Sequence, residues 1–246
     1  MDQAAVEAGA PVNSINCMSN LSMEATDTLM HSKEVKLIIA TGGPGMVKAA
    51  YSAGKPAIGV GAGNSPSYIE RTADVREAVE QIMASKTFDN GTVCASEQSI
   101  ICEKVNEAEV ISELERQGGY FMTEEETNKV CDLLFKNGHA MNAGFVARAP
   151  QVIADAAGIT IPEGTRLLVG RQKGVGAGNP LSYEKLTTVI AFYTVEDWQE
   201  ACDLSIRLLG CHRRAGQYFC DHGQTAGGRS ATTRSEERRV GKECRS

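Results

Sequence analysis

"VKLIIATGGPGMVKAAYSAGKPAIGVGAGN", Val35 to Asn64, decides the fold class. Its first seven residues are a short apolar, β-branched run that ends in glycines. Pro44 then stands near a helix start, apolar residues follow at helical spacing, and Gly54 marks the stop. "KPAIGV" is a second buried strand running into another Gly-rich turn. Strand, helix and strand in units this short predict right-handed βαβ crossovers, hence an α/β fold with a parallel sheet and helices on its faces.

The pattern extends both ways. Upstream, "MDQAAVEAGAPVNSINCM" reads as the end of an amphipathic helix, a Gly-Ala-Pro turn and a short strand. "SMEATDTLMHSKEV" is a helix with its start signal at Ser22. Downstream, "DVREAVEQIMASKTF", "EAEVISELERQGG" and "TEEETNKVCDLLFKNG" are helices, and "SEQSIICEKV" contains a strand. "FVARAP", "APQVIADAAG" and "TRLLVGR" alternate strand, helix and strand. "KLTTVIAFYTV" is a strand, followed by the helix "VEDWQEACDLSIRLL" capped around Thr194. A change of pattern near Gly91 divides residues 1–90 from 91–209, and boundaries of this kind are where clefts form.

With 246 residues and only 5% aromatics, the composition suits an α/β enzyme better than an all-β sandwich. No window of eighteen apolar residues predicts a membrane span, and the N-terminus lacks the features of a secretory signal. The eight cysteines are scattered, with no C-x-x-C pair. That argues against a zinc site or disulfide framework and for a reducing, cytoplasmic setting. A net charge of −6 gives no reason to expect nucleic acid as a partner. The charge is uneven: from Gly210 onward eight Lys/Arg face four acids, leaving −10 for residues 1–209. The segment 210–246 also loses hydrophobic periodicity. It reads either as a basic arm or as sequence that is not natural protein. "RSEERRVGKECRS" resembles the translation of a short-read sequencing adapter, and "GCHRRAGQYFCDHGQTAGGRSATT" reads like coding sequence in the wrong frame. A disordered tail is therefore expected there.

Two features carry chemistry. The glycines of "ATGGPGMVKAA" lie between a strand end and a helix start, where N–H groups attract phosphate; a tight turn would need glycine equally. "GVGAGN" is a second Gly-rich loop, and ligands in such sheets bind beyond the carboxyl ends of strands. Cys94 then sits in "KTFDNGTVCASEQS", at the expected boundary. As a lone cysteine it reads first as a buried hydrophobe, and no histidine lies nearby in sequence to activate it.

Taken together and in this spacing, "IIATGGPGMVKAAYSAGKPAIGVGAGN" and "SKTFDNGTVCASEQS" resemble the CoA-acylating aldehyde dehydrogenases, and among them the aldehyde half of the bifunctional aldehyde–alcohol dehydrogenases. The likeness covers residues 1–209. It implies the C-terminal half of an NAD-binding domain over 1–90 and a partial catalytic domain over 91–209. It also implies that Cys94 attacks the aldehyde, that hydride leaves to NAD, and that coenzyme A takes the acyl group from an enzyme thioester. Thr41, Gly42 and Gly43, with Gly61 and Gly63, match the loops that face the cofactor. "SYEKL" places Glu184 where the family binds the nicotinamide ribose. Asn90 would shape the turn before the cysteine. Val60 stands where hydrolytic relatives carry a water-activating glutamate, which suits a thiol acceptor better than water.

The resemblance also implies no metal, small aldehydes as substrates, and a homo-oligomeric parent, with filaments among the family's assemblies. His212 is the candidate for a family histidine, although the frame is lost around it. Departures at both ends make an internal fragment the expected reading, one that does not turn over acetaldehyde alone. The alternatives are a stand-alone CoA-acylating dehydrogenase of another short aldehyde, such as succinate semialdehyde, or a catalytically dead assembly fragment.

Overall fold

The structure is a computed structural model that describes residues 1–136, 138–211 and 220–221. The chain forms two compact units, Met1–Gly61 and Ala62–Ser246. The expected boundary at residue 90 thus falls inside the second unit, because the strand after Asn64 pairs with the strand after Cys94.

In the first unit, helices α1 (Asp2–Glu7) and α2 (Met23–His31) precede a βαβ unit: β1 (Ile38–Thr41), α3 (Pro44–Ser52) and β2 (Ala57–Val60). Ser22 caps α2 by accepting from the Ala25 N–H at 3.0 Å, as its sequence signal predicts. β1 and β2 pair in parallel, Ile38 beside Ala57 through Thr41 beside Val60. Met30, Ile38, Ala40, Ala50 and Ala53 form the small core. The short strand expected between Ser14 and Met18 is irregular, its turn held by Asp2, which accepts from the Asn13 and Ile15 N–H groups.

The second unit contains, in chain order, β3 (Ser65–Ile69), α4 (Val75–Thr87), β4 (Glu97–Glu103), α5 (Glu107–Arg116), β5 (Gly119–Met122) and α6 (Glu124–Leu134). A two-residue antiparallel hairpin follows, β6 (Phe135–Lys136) and β7 (Ala140–Met141). Then come α7 (Pro150–Ala157), β8 (Leu167–Arg171), β9 (Val189–Val195), α8 (Trp198–Cys211) and β10 (Cys220–Asp221). The sheet is parallel throughout, in the order β10-β3-β4-β9-β8-β5. Of residues 210–246, expected as a disordered tail, Gly210 and Cys211 end α8 and Cys220–Asp221 pair with β3; the rest lie outside the described residues.

Both faces of this sheet are covered, so its strands read as near-continuous apolar runs. On one face Ile100, Cys102, Ile190 and Phe192 meet Val75, Val79, Ile82 and Met83 of α4 and Val110 and Leu114 of α5. On the other, Ile101, Val189, Ala191 and Tyr193 meet Val130 and Leu134 of α6, Ile153 of α7 and Ala201, Leu204 and Leu208 of α8. Successive residues of one strand face opposite cores, as the pleat requires.

Two expected elements differ. "FVARAP" is not a strand: Ala143–Phe145 form a 3-10 turn capped by Asn142, and Ala147 takes a left-handed φ of 59°. Its backbone instead serves the β9 approach, the Arg148 carbonyl accepting from the Thr187 and Thr188 hydroxyls at 3.1 and 3.0 Å. Thr194 does not cap α8, because β9 continues through Val195 in register with Glu103. Asp197 caps instead, its Oδ1 accepting from the Glu200 N–H at 3.0 Å.

Candidate active site

α4 leads to the site. Asp74 caps it by accepting from the Glu77 N–H at 3.0 Å, and its apolar stripe fixes the helix on the sheet. Its last turn carries Lys86, which is wholly buried. The chain then reverses through Phe88–Gly91, where Asp89, Asn90 and Gly91 have φ of 47°, 50° and 76°. Three consecutive left-handed residues are uncommon, and asparagine and aspartate tolerate that region better than other side chains. The Thr92 hydroxyl steadies the turn by donating to the Asp89 carbonyl at 3.0 Å and to Asp89 Oδ2 at 2.8 Å. Gly91 admits no side chain, because a Cβ there would lie 2.4 Å from the Thr187 carbonyl oxygen. Cys94 follows three residues later as a half-buried free thiol, immediately before β4.

The segment before β9 meets the end of α4 and the start of β4. Glu184 Oε1 accepts from the Gly63 N–H at 2.6 Å, joining residues far apart in the chain. The next residue, Asn64, is buried and its Nδ2 donates to the Ser182 and Leu208 carbonyls at 2.8 and 2.7 Å. Lys86 Nζ donates to the Lys185 carbonyl at 2.8 Å and to Gln98 Oε1 at 3.2 Å. Lys185, also wholly buried, donates through Nζ to the Leu181 carbonyl and, at 2.7 Å, to that of Tyr183.

Burial disfavours the charged form of both amines. Burial lowers Lys86 to about 7, against the pull of Glu97 and Glu184 toward the charged form. Burial and the neighbouring Lys86 hold Lys185 well below the ordinary lysine range. Burial raises the Glu184 carboxyl, opposed by the Gly63 N–H and by both lysines. The other buried thiols are inert by comparison: burial pushes Cys102 up to about 12 and Cys131 up to about 11. Cys202, which also reads as a core thiol, is disulfide-bonded.

The sequence-predicted residues separate by unit. Cys94, Gly63 and Glu184 lie in the second, at the amino ends of β4, β3 and β9. Thr41, Gly42, Gly43 and Gly61 lie in the first unit, at the carboxyl ends of β1 and β2. There the Gly42 N–H donates to the Val60 carbonyl at 3.1 Å and Gly43 is the N-cap of α3. A Cβ on Gly43 or Gly61 would meet nothing within 4 Å. Packing in the chain therefore does not demand glycine at either position, and Gly43 leaves room for a ligand against the backbone N–H groups at the start of α3. His212 lies outside the described residues. Lys86, Gln98 and Lys185 were not singled out by the sequence; a lysine ending an amphipathic helix looks like a solvated charge, and "SEQ" looks like a loop.

A cavity of about 990 Å³ lies elsewhere in the second unit. It opens at the carboxyl ends of β5, β8 and β9, lined by Met122, Arg171, Phe192, Tyr193 and Arg207 among others. No described helix is long and apolar enough to cross a membrane, and no described cluster of His, Cys, Asp and Glu could hold a metal ion.

Over 208 residues the chain is 45% identical to the bifunctional aldehyde-alcohol dehydrogenase AdhE of Escherichia coli K12, a match covering 84% of this chain and 23% of that protein. Among solved structures, it resembles an acetylating aldehyde dehydrogenase from Geobacillus thermoglucosidasius at 49% identity and a TM-score of 0.81, over 85% of this chain and 46% of that one. A probable aldehyde dehydrogenase from Listeria monocytogenes superposes with a TM-score of 0.86 at 43% identity, over 98% of this chain and 50% of that one. The chain thus spans about a quarter to a half of the length of these relatives. Residues 1–139 match the aldehyde dehydrogenase family pattern, and this match over more than half of the chain establishes that it belongs to the aldehyde dehydrogenase family.

Proposed function

We propose that the chain carries the thiol half of a CoA-acylating aldehyde dehydrogenase, which interconverts a short aldehyde and its acyl-CoA with NAD through a cysteine thioester. The observation that carries this reading is the placement of Cys94. Among the described residues it is a half-buried thiol that follows a strained, braced turn, and one curated relative is a bifunctional aldehyde-alcohol dehydrogenase.

Cys94 Sγ adds to the aldehyde carbonyl to give a thiohemiacetal. Loss of hydride from that carbon leaves a thioester on Cys94, and attack by the thiol of coenzyme A releases acyl-CoA and the free cysteine. NAD, when bound, supplies the hydride acceptor. In the first unit Thr41, Gly43 and Gly61 would face its phosphates, with Gly42, whose N–H is held by the Val60 carbonyl, shaping that loop. In the second, Glu184 would accept from a ribose hydroxyl, its carboxylate held in place by the Gly63 N–H. Val60 offers no base to activate water, so the thioester persists for a thiol acceptor. The intact enzyme is expected to act on small aldehydes as a homo-oligomer in the cytoplasm.

The test is thioester exchange, which needs no hydride acceptor. Acetyl-CoA should transfer one acetyl group to Cys94, detected by intact mass and peptide mapping, and Cys94→Ala should abolish it. Acetylation of another cysteine, or of none, would overturn the reading.

A further inference from the structure

Gln98 is wholly buried near the start of β4, four residues after Cys94. Its Oε1 accepts twice, from Lys86 Nζ at 3.2 Å and from the Lys185 N–H at 2.8 Å. Two donors on one atom settle the orientation of the amide, because the reversed group would turn its NH2 toward both. Its Nε2 is then a buried donor with no hydrogen-bond partner among the described residues. An orphaned buried donor is costly, so the side chain is held for what its oxygen does.

That oxygen joins three pieces of chain. Lys86 ends the helix from which the Asp89–Gly91 turn hangs. Gln98 itself lies on the strand that Cys94 introduces. Lys185 follows Glu184. The same two outer pieces meet again where Lys86 Nζ reaches the Lys185 carbonyl at 2.8 Å and where Gly91 abuts the Thr187 carbonyl. The apolar clusters on either face of the sheet do not include Gln98 or either lysine.

We propose that Gln98 is a positioning residue: by accepting from Lys86 and Lys185 together, it fixes the Cys94 turn against the segment that carries Glu184. The role of the two positioned groups rests on the function proposed above, whereas the tie itself does not.

Hydrogen exchange in the full chain tests it, comparing the wild type with Gln98→Leu, which removes the acceptor at similar volume, and Gln98→Glu, which restores it. In Gln98→Leu, exchange over residues 87–94 and 183–187 should accelerate about tenfold, the change one lost buried hydrogen bond produces. Residues 100–103 and 190–193 should keep wild-type protection. Gln98→Glu should return both segments to wild-type exchange, and acetyl transfer to Cys94 should fall and recover in the same order. Wild-type exchange of both segments in Gln98→Leu would overturn the proposal. Should Gln98→Leu open the whole sheet, Lys86→Met cuts the same tie from the α4 side. Loosening confined to the two segments then supports the proposal, and sheet-wide exchange in both variants overturns it, since the network would be holding the core and not the turn. A wild-type chain that takes no acetyl group would sink the functional reading while leaving the exchange result standing.

Discussion

Gly91 lies so close to Thr187 that a Cβ on it would stand 2.4 Å from the Thr187 carbonyl oxygen and 3.1 Å from that of Lys86. The turn before Cys94 is therefore set by backbone pressed on backbone, which no rotamer change can relieve. Gly91→Ala combines a Cβ at a positive φ with overpacking and should cost about 2–4 kcal/mol of unfolding free energy. Gly164→Ala is the control: its φ of 82° is equally left-handed, but a Cβ there meets nothing within 4 Å. It should cost only about 1 kcal/mol. Equal losses in urea denaturation would show that the Thr187 contact is immaterial.

The thiols differ in reactivity for a stated reason. Cys102 and Cys131 are buried and raised to about 12 and about 11, whereas Cys94 is half-buried and Cys17 exposed. Each unit of pKa removes about a factor of ten in thiolate, so Cys102 should react with iodoacetamide roughly a thousandfold more slowly than an ordinary thiol at neutral pH. Peptide mapping should find Cys94 modified first, ahead of Cys17, with Cys102 and Cys131 untouched. Early modification of Cys102 would contradict the packing of β4.

The buried lysines predict an unusual alkaline behaviour. Lys86 titrates at about 7 in the folded chain against 10.5 as an ordinary lysine, because burial disfavours its charge. Above pH 7 the unfolded chain therefore binds a proton that the folded chain does not, and stability rises with pH across that window. Lys185, depressed by burial and by Lys86, acts in the same direction. Urea midpoints should increase from pH 7 to 9, and Lys86→Met should flatten the rise. A wild-type midpoint that falls over this interval would refute the burial of both amines.

At the other end of the sheet, Glu103 behaves oppositely. Burial raises its carboxyl, but the hydrogen bonds from Arg71 and Tyr68 outweigh that and leave it below the ordinary range. The Tyr68 hydroxyl donates to Oε1 at 2.5 Å, and Arg71 reaches Oε2. A carboxylate depressed by folding contributes stability above its unfolded pKa, and that contribution is lost as pH falls through the folded value. Acid unfolding of Glu103→Gln should thus be shallower than that of the wild type, at a cost of about 1–3 kcal/mol at neutral pH. Identical acid limbs would remove Glu103 from the account.

Much of the architecture was legible because parallel strands buried on both faces leave short, dense apolar runs. β8 and β9 read that way; β1 and β2 are apolar runs as well, although Ile39 and Ile58 are exposed, so the buried strand expected at "KPAIGV" is open on one face. β3 did not read that way: "SPSYI" opens on serine and proline, which look like a turn until Ser67 is buried beside Ile100. "FVARAP" misled in the other direction: its Phe145 ends a 3-10 turn, and its Arg148 carbonyl is used by threonines about forty residues on.

The sequence by itself determined the strand–helix alternation, the position of Cys94 behind an Asp-Asn-Gly turn, and the family, since local propensity and a specific contiguous motif are sufficient for all three. Only the tertiary structure decided that Lys86, Gln98 and Lys185 are interior. Along the chain they look like charges and amides that water would solvate. The Lys86 amine finds its carbonyl acceptor 99 residues away, and no local periodicity encodes a partner at that distance. Burial of a polar group is decided by whether folding brings it an acceptor, and that becomes visible only when the end of α4 is placed beside the approach to β9.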